Sequence, residues 1–191
     1  NEKDLNFYIH IPFCKKLCAF CEYIKYPTTN REMEEKYIEI LEKDINKFIE
    51  NHTMFTLYGL DIGGGTPTSL SEKPFKHLMQ ICKNIISNSV LVGDFEPSIE
   101  ATFETLDESK LLEIHNAGFR RISLGIQTMN LEILKKNNRE NLGIDDILQK
   151  SRLIKNDNSA EIKRIYPEEP KEINEKQKVV QMDVNNPLFV I

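Results

Sequence analysis

Three cysteines fall within one eight-residue stretch, Cys14-Lys15-Lys16-Leu17-Cys18-Ala19-Phe20-Cys21. Thiols this close suit metal, because a disulfide framework spreads its cysteines along the chain. Three thiolates are one short of closing a [4Fe-4S] cube, so one iron is left able to accept an outside ligand. A closed cluster suits electron transfer, whereas an open iron is reactive. The amine and carboxylate of S-adenosylmethionine (SAM) can chelate such an iron, which sets the sulfonium beside the cluster for one-electron cleavage of a carbon–sulfur bond. The cofactors carry that chemistry and the protein positions them. Two other readings use the same residues. One is three small buried thiols on a single face of a core helix. The other is zinc with His10 as fourth ligand, although zinc knuckles favour a second, distant cysteine pair. Cys82 stands apart, within the apolar series Leu78, Ile81 and Ile85, and reads as a buried helix cysteine.

The elements around these residues alternate in period. Phe7 to Ile11 alternates in character and stops at Pro12, as a strand feeding the cysteine loop would. Asn30 is placed to cap a helix whose apolar positions Met33, Tyr37, Ile40, Leu41, Ile45, Phe48 and Ile49 recur at three- and four-residue steps. A strand follows from Phe55 to Ile62, stopped by Gly63-Gly64-Gly65, and then a helix from about Pro74 to Ile86. Phe95 to Phe103 reads as the third strand. Asp107 caps the next helix, and Gly118 is placed to end it in the left-handed conformation. Arg121 to Gln127 reads as the fourth strand, with helical patterns at Leu131 to Lys136 and Ile144 to Ile154. Four strand–helix units in this order predict an α/β fold with a parallel sheet, open or barrel-like.

Beyond residue 156 the composition shifts. Glu161 to Tyr166 can supply one more strand, but Pro167 to Lys178 is proline-broken and rich in charge. Residues 1–156 therefore read as the core and 157–191 as a divergent tail of no assigned fold.

Glycines at the end of a strand remove side chains and let a ligand approach the backbone closely. Gly63-Gly64-Gly65 does so without a following Gly-Lys-Ser/Thr, and Thr68 stands where a dinucleotide fingerprint needs glycine, so triphosphate and dinucleotide binding are disfavoured. On the third strand Glu96, Ser98, Glu100, Thr102 and Glu104 alternate with apolar residues and give one polar face. His10 reads as support for the cysteine loop, while His52, His77 and His115 read as solvated. No residue is assigned as catalytic.

Composition narrows the function classes. A 40% hydrophobic and 29% charged chain with no long apolar run has no membrane span to offer. A formal charge of −5, with basic residues interspersed among acids, argues against nucleic acid. The polar start, Asn1 to Asn6, lacks the features of a signal peptide and, with reduced thiols, predicts a cytoplasmic protein.

Tyr8-Ile9-His10-Ile11-Pro12-Phe13-Cys14 with its Cys-x3-Cys-x2-Cys loop resembles the oxygen-independent coproporphyrinogen III oxidases and their radical SAM relatives. The likeness continues through Gly63 to Thr68, Ser98-Ile99-Glu100 and Arg121 to Gln127 as far as Arg139, covering about residues 7–155. It implies a (β/α) barrel of the radical SAM type, with Cys14, Cys18 and Cys21 on a [4Fe-4S] cluster. It also implies that Gly64, Gly65 and Thr66 meet the methionyl end of SAM, and that Tyr8, Phe20, Glu100, Gln127 and Arg139 contact it. The implied substrate is a porphyrinogen or haem, and the implied electron source is a reductant such as flavodoxin or ferredoxin.

Some positions depart from that pattern. Cys21-Glu22-Tyr23 lacks the further cysteine of the oxidases and matches the haem-chaperone branch, which carries an acid and an aromatic there. Thr102-Phe103 replaces the usual Asn-Pro or Asp-Pro. Lys163-Arg164-Ile165-Tyr166-Pro167 stands where relatives have an Asp-containing strand ending in Gly-Leu-Pro, and later barrel strands are missing. The expectation is an incomplete barrel after about four units: an oxidase-like enzyme, a haem chaperone, or a truncated cluster-binding fragment without activity.

Overall fold

A computed structural model describes residues 4–28, 30–52, 54–139, 141–156 and 180–183. The chain enters through β1 (Asp4–Ile11), passes the short strands β2 (Phe13–Cys14) and β3 (Tyr26–Pro27), and forms α1 (Arg31–Asn51). Then come β4 (Phe55–Gly64), a 3-10 turn over Pro67–Ser69, α2 (Glu72–Ser87) and β5 (Ser89–Leu91). β6 (Ser98–Ala101), α3 (Glu108–Asn116), β7 (Arg121–Gln127), α4 (Leu131–Lys136) and α5 (Ile144–Asn156) follow, with β8 (Val180–Asp183) last. The principal sheet runs β1-β4-β6-β7-β8, with β5 also on β4. Its pairings are parallel except β7 with β8.

The expected caps form. Asn30 Oδ1 accepts the Met33 N–H at 3.2 Å, Asp107 Oδ1 accepts the Lys110 N–H at 2.8 Å, and Gly118 ends α3 at φ +89°. The expected third strand is too long: only Ser98–Ala101 pairs. Pro97 has no N–H to donate to a ladder. At the other end the Thr102 carbonyl turns back to accept the amides of Thr105 and Leu106 at 3.1 and 3.2 Å. β5 and the antiparallel β8 were not anticipated, and the possible strand at Glu161–Tyr166 lies outside the described residues.

Register separates the two faces of the sheet. Ile9, Ile62, Ile99 and Ile122 sit side by side on consecutive strands and are all buried. They join Ile38 and Ile45 of α1, Phe75, Leu78, Ile81, Cys82 and Ile85 of α2, and Ile114 of α3 in one core. Side chains alternate along a strand, so the next rung faces the other way. That rung is Tyr8, Asp61, Ser98 and Arg121. One face of the sheet is therefore sealed by helices and the other carries polar groups. The parallel α/β fold matches the expectation, and among the described residues no closed barrel forms.

Candidate cofactor site

The cysteine loop is held from behind at its first thiol. The Pro12 carbonyl accepts the Tyr26 N–H at 2.6 Å and the Cys14 carbonyl accepts the Thr28 N–H at 2.9 Å, which pairs β2 with β3 and closes the loop at its base. Cys14 is buried, whereas Cys18 and Cys21 are half-buried in irregular backbone, so the core-helix reading of the three thiols does not hold. Further along, Asn137 O accepts the Ala19 N–H at 3.0 Å, and Asn138 Nδ2 donates to Leu17 O at 3.0 Å. The C-terminal end of α4 thus steadies the middle of the loop. His10 supports it as expected, its Nε2 lying 3.1 Å from Ile24 O. That contact occupies Nε2, and among the described residues no three His, Cys, Asp or Glu groups converge on one ion as the zinc reading requires.

The glycine run abuts the first thiol. Gly65 and Thr66 donate their N–H groups to Ile11 O and Phe13 O, each at 2.8 Å, and Ser69 Oγ donates to Phe13 O at 2.9 Å. Thr66 Oγ1 lies 3.8 Å from Cys14 Sγ. Gly64 has φ +114°, and a β-carbon on it would stand 2.6 Å from the His10 ring. These two glycines are required, one by conformation and both by lack of room.

Burial pushes the Cys14 thiol up, the Thr66 hydroxyl opposes this, Cys21 and Cys18 raise it further, and Lys25 lowers it. Lys25 also donates to the Cys21 carbonyl.

The polar face supplies the second wall. Glu100 accepts the Gly64 N–H at 3.3 Å, and Gly63, lacking a side chain, leaves space for both the Glu100 carboxylate and the Tyr8 hydroxyl. Burial raises Glu100 above the ordinary carboxylate value; the Gly64 bond and His10 oppose this, and Asp61 adds to it. Tyr8 is raised by burial first, then by Glu100, Tyr23 and Asp61, although its side chain is 58% exposed. Sequence reading missed Asp61 and Arg121, which sit 3.5 Å apart on this face with Ser98 Oγ donating to Asp61. The signal was available in the strand alternation, since Asp61 interrupts an apolar stretch.

Arg139 closes the arrangement. It is not the solvated helix-end cation that its position alone implies: Nη2 donates to Gly125 O at 2.8 Å and Nη1 to Cys18 Sγ at 3.6 Å. Its Nε and the Gln127 Oε1 are buried without a hydrogen-bond partner among the described residues, and Gln127 takes the left-handed φ of 68°. A small cleft of about 100 Å³ opens between the cysteine loop and this arginine, bordered by Lys15, Cys18, Thr66, Thr102, Glu104 and Arg139. Phe20 projects from the loop at 46% exposure, beyond that border.

The Radical SAM superfamily profile matches residues 8–166. This chain belongs to the radical SAM superfamily. It is 37% identical over 135 residues to the heme chaperone HemW of Buchnera aphidicola subsp. Acyrthosiphon pisum, covering 69% of this chain and 34% of that one. It is 34% identical over 142 residues to the oxygen-independent coproporphyrinogen III oxidase of Escherichia coli, covering 73% and 30%. The solved E. coli coproporphyrinogen III oxidase HemN, a radical SAM enzyme, superposes with a TM-score of 0.68 at 32% identity, covering 80% of this chain and 35% of that one. The chain thus spans about a third of the length of these relatives. Radical SAM membership implies a [4Fe-4S] cluster and SAM. The residues present fit both: three free thiols from one loop, a glycine cradle beside the first, and buried polar atoms of Gln127 and Arg139 with capacity to spare. Among the described residues no helix is long and apolar enough to cross a membrane.

Proposed function

We propose that residues 1–156 form the core of a cytoplasmic radical SAM protein acting in porphyrin or haem metabolism, in which Cys14, Cys18 and Cys21 hold a [4Fe-4S] cluster. The observation that supports this reading is one cysteine loop whose first thiol, Cys14, abuts Gly65 and Thr66 and whose second, Cys18, lies 3.6 Å from the Arg139 guanidinium. When bound, reduced cluster and SAM supply a 5′-deoxyadenosyl radical for hydrogen abstraction, with the electron coming from a carrier such as flavodoxin or ferredoxin. The chain's own residues bind and orient. Gly64, Gly65 and Thr66 offer backbone groups to the SAM ammonium, which needs acceptors. Arg139 would hold its carboxylate, Glu100, Gln127 and Tyr8 would line the adjoining wall, and Phe20 would shield the cluster.

Anaerobic reconstitution tests this directly. One cluster per chain is expected, and Cys14→Ala, Cys18→Ala and Cys21→Ala should each lose it; full iron and sulfide in all three variants would refute the assignment.

A second reading, a haem chaperone that keeps the cluster and SAM site, is favoured by Cys21-Glu22-Tyr23 and by the 37% identity to HemW. Haem titration separates the two. Stoichiometric haem binding without SAM-dependent conversion of coproporphyrinogen III supports the chaperone, and conversion without haem binding supports the oxidase.

A further inference from the structure

Lys110 lies in the first turn of α3, away from the cysteines, and its ammonium is turned inward. Nζ donates to Thr68 O and, at 3.3 Å, to Thr105 O, and it stands 5.5 Å from the centroid of the Phe75 ring. Thr68 and Thr105 are buried, and their hydroxyls share a hydrogen bond of 2.6 Å. The cation therefore bridges two segments that both border the cleft. One is the turn that carries Thr66 against Cys14, and the other is the loop after β6. Among the described residues no carboxylate is in hydrogen-bond contact with this half-buried lysine, and such a cation is costly to desolvate. Burial accordingly lowers its proton affinity, with Asp107 opposing and Lys15 assisting.

A second lysine gives the internal comparison. Lys150 of α5 donates to Phe103 O at 2.6 Å and Leu106 O at 3.0 Å, so it holds the same loop from its far side without touching the Thr66–Ser69 turn. The two ammonium groups do similar work on the loop's carbonyls. Of the two, Lys110 alone also reaches the glycine-threonine turn, where it reinforces the Thr68–Thr105 hydroxyl bond.

We infer that Lys110 is a positioning residue for the SAM pocket: its ammonium fastens the Thr66–Ser69 turn to the Thr102–Leu106 loop and so sets where Thr66 and the Gly64–Gly65 backbone meet the ligand. The inference rests on the cofactor reading above. Lys110 lies outside the residues assigned to cluster and SAM and acts through the turn.

The test uses the reconstituted 191-residue chain and compares Lys110→Met, Lys110→Arg and Lys150→Met. Iron content and melting temperature are measured alongside the Kd for SAM and the shift that SAM causes in the electron paramagnetic resonance spectrum of the reduced cluster. Lys110→Met should weaken SAM binding by about tenfold, the scale of a charge-assisted hydrogen bond, and diminish the spectral shift while iron content holds. Lys110→Arg should restore both. Lys150→Met should lower the melting temperature comparably and leave SAM affinity unchanged. Equal losses of affinity in the two methionine variants, or none in either, overturn the inference.

Hydrogen exchange of the Ser69 amide, which is bonded to Thr66 O at 2.8 Å, gives a readout that needs no cofactor. Faster exchange in Lys110→Met but not in Lys150→Met supports the clamp even if the wild type binds no SAM, and that last result would refute the cofactor reading instead. Unchanged exchange refutes the clamp. Should Lys110→Met not fold, Lys110→Gln, which keeps a donor but no charge, takes its place in every comparison.

Discussion

Cys14 Sγ lies 2.9 Å from the point that a β-carbon on Gly65 would occupy, and the Phe13 carbonyl oxygen lies 2.6 Å from the same point. The turn and the first thiol are thus in contact through an absent side chain. Gly65→Ala must push backbone aside, because neither neighbour is the free end of a flexible chain. The expected result is a loss of about 1–3 kcal/mol in unfolding free energy, as for other overpacked sites, with reduced iron after reconstitution. Urea unfolding and iron analysis measure the two effects, and wild-type values for both would show that the loop yields more readily than its contacts imply.

Arg139 and Cys18 are 121 residues apart in sequence and 3.6 Å apart in space. Lysine keeps the charge but cannot reproduce the planar fork that reaches both Gly125 O and Cys18 Sγ. Arg139→Lys should therefore retain cluster and lose SAM affinity by about tenfold or more. Equilibrium binding at matched iron content decides the matter.

Glu100→Ala and Gln127→Ala should also weaken SAM binding while the cluster assembles normally, since both side chains lie on strand ends and not in the cysteine loop. Unchanged affinity in both variants would remove them from the pocket.

Glu100 predicts a pH effect of definite sign. Burial raises it above the ordinary value of 4.5, so the folded chain keeps this proton to higher pH than the unfolded chain. Over that interval the folded state binds more protons, and stability falls as pH rises. The contribution is present below about 4.5 and is lost as pH climbs through the folded value. Glu100→Gln cannot titrate, so the variant should gain on the wild type as pH rises from the ordinary carboxylate value toward neutrality. Unfolding free energies measured stepwise across that range check it, and a flat or falling difference contradicts the assignment.

Cys82 is fully buried in α2, where burial drives its thiol strongly upward. Cys82→Ser places a hydroxyl in an apolar site and should cost about 1–3 kcal/mol. Cluster content should not change, which separates this thiol from the other three.

Much of this was legible in the chain. Asn30 and Asp107 announced two helix starts because a short side-chain acceptor before an apolar period has few other uses. β7 was bounded correctly because its alternation of Ile122, Leu124 and Ile126 is uninterrupted. β6 was overextended because Glu96 and Thr102 continue the alternation while Pro97 and the Thr102–Thr105 turn take the backbone elsewhere. Alternation records which face a side chain would take and not whether the backbone has a partner. The roles of Arg139, Lys110 and Lys150 depend on contacts between distant segments, and no local period encodes those. β8 was missed because Val180 and Met182 alternate over only four residues of a tail given no fold, and its pairing with β7 is wholly non-local.

The parallel arrangement of β1, β4, β6 and β7 also divides labour between the two edges of the sheet. Their carboxyl ends, at Ile11, Gly64, Ala101 and Gln127, lie together with every residue assigned to the cofactors close by. Returns into the strands, such as residues 92–97 and 117–120, come back at the opposite edge. At its exposed positions, such as Gly93 and Asp94, a lengthened connection or an inserted tag should leave the chemistry untouched, whereas Pro97, Ala117 and Phe119 are buried and fixed by packing. Selection can likewise remodel the working edge loop by loop without renegotiating how the protein folds.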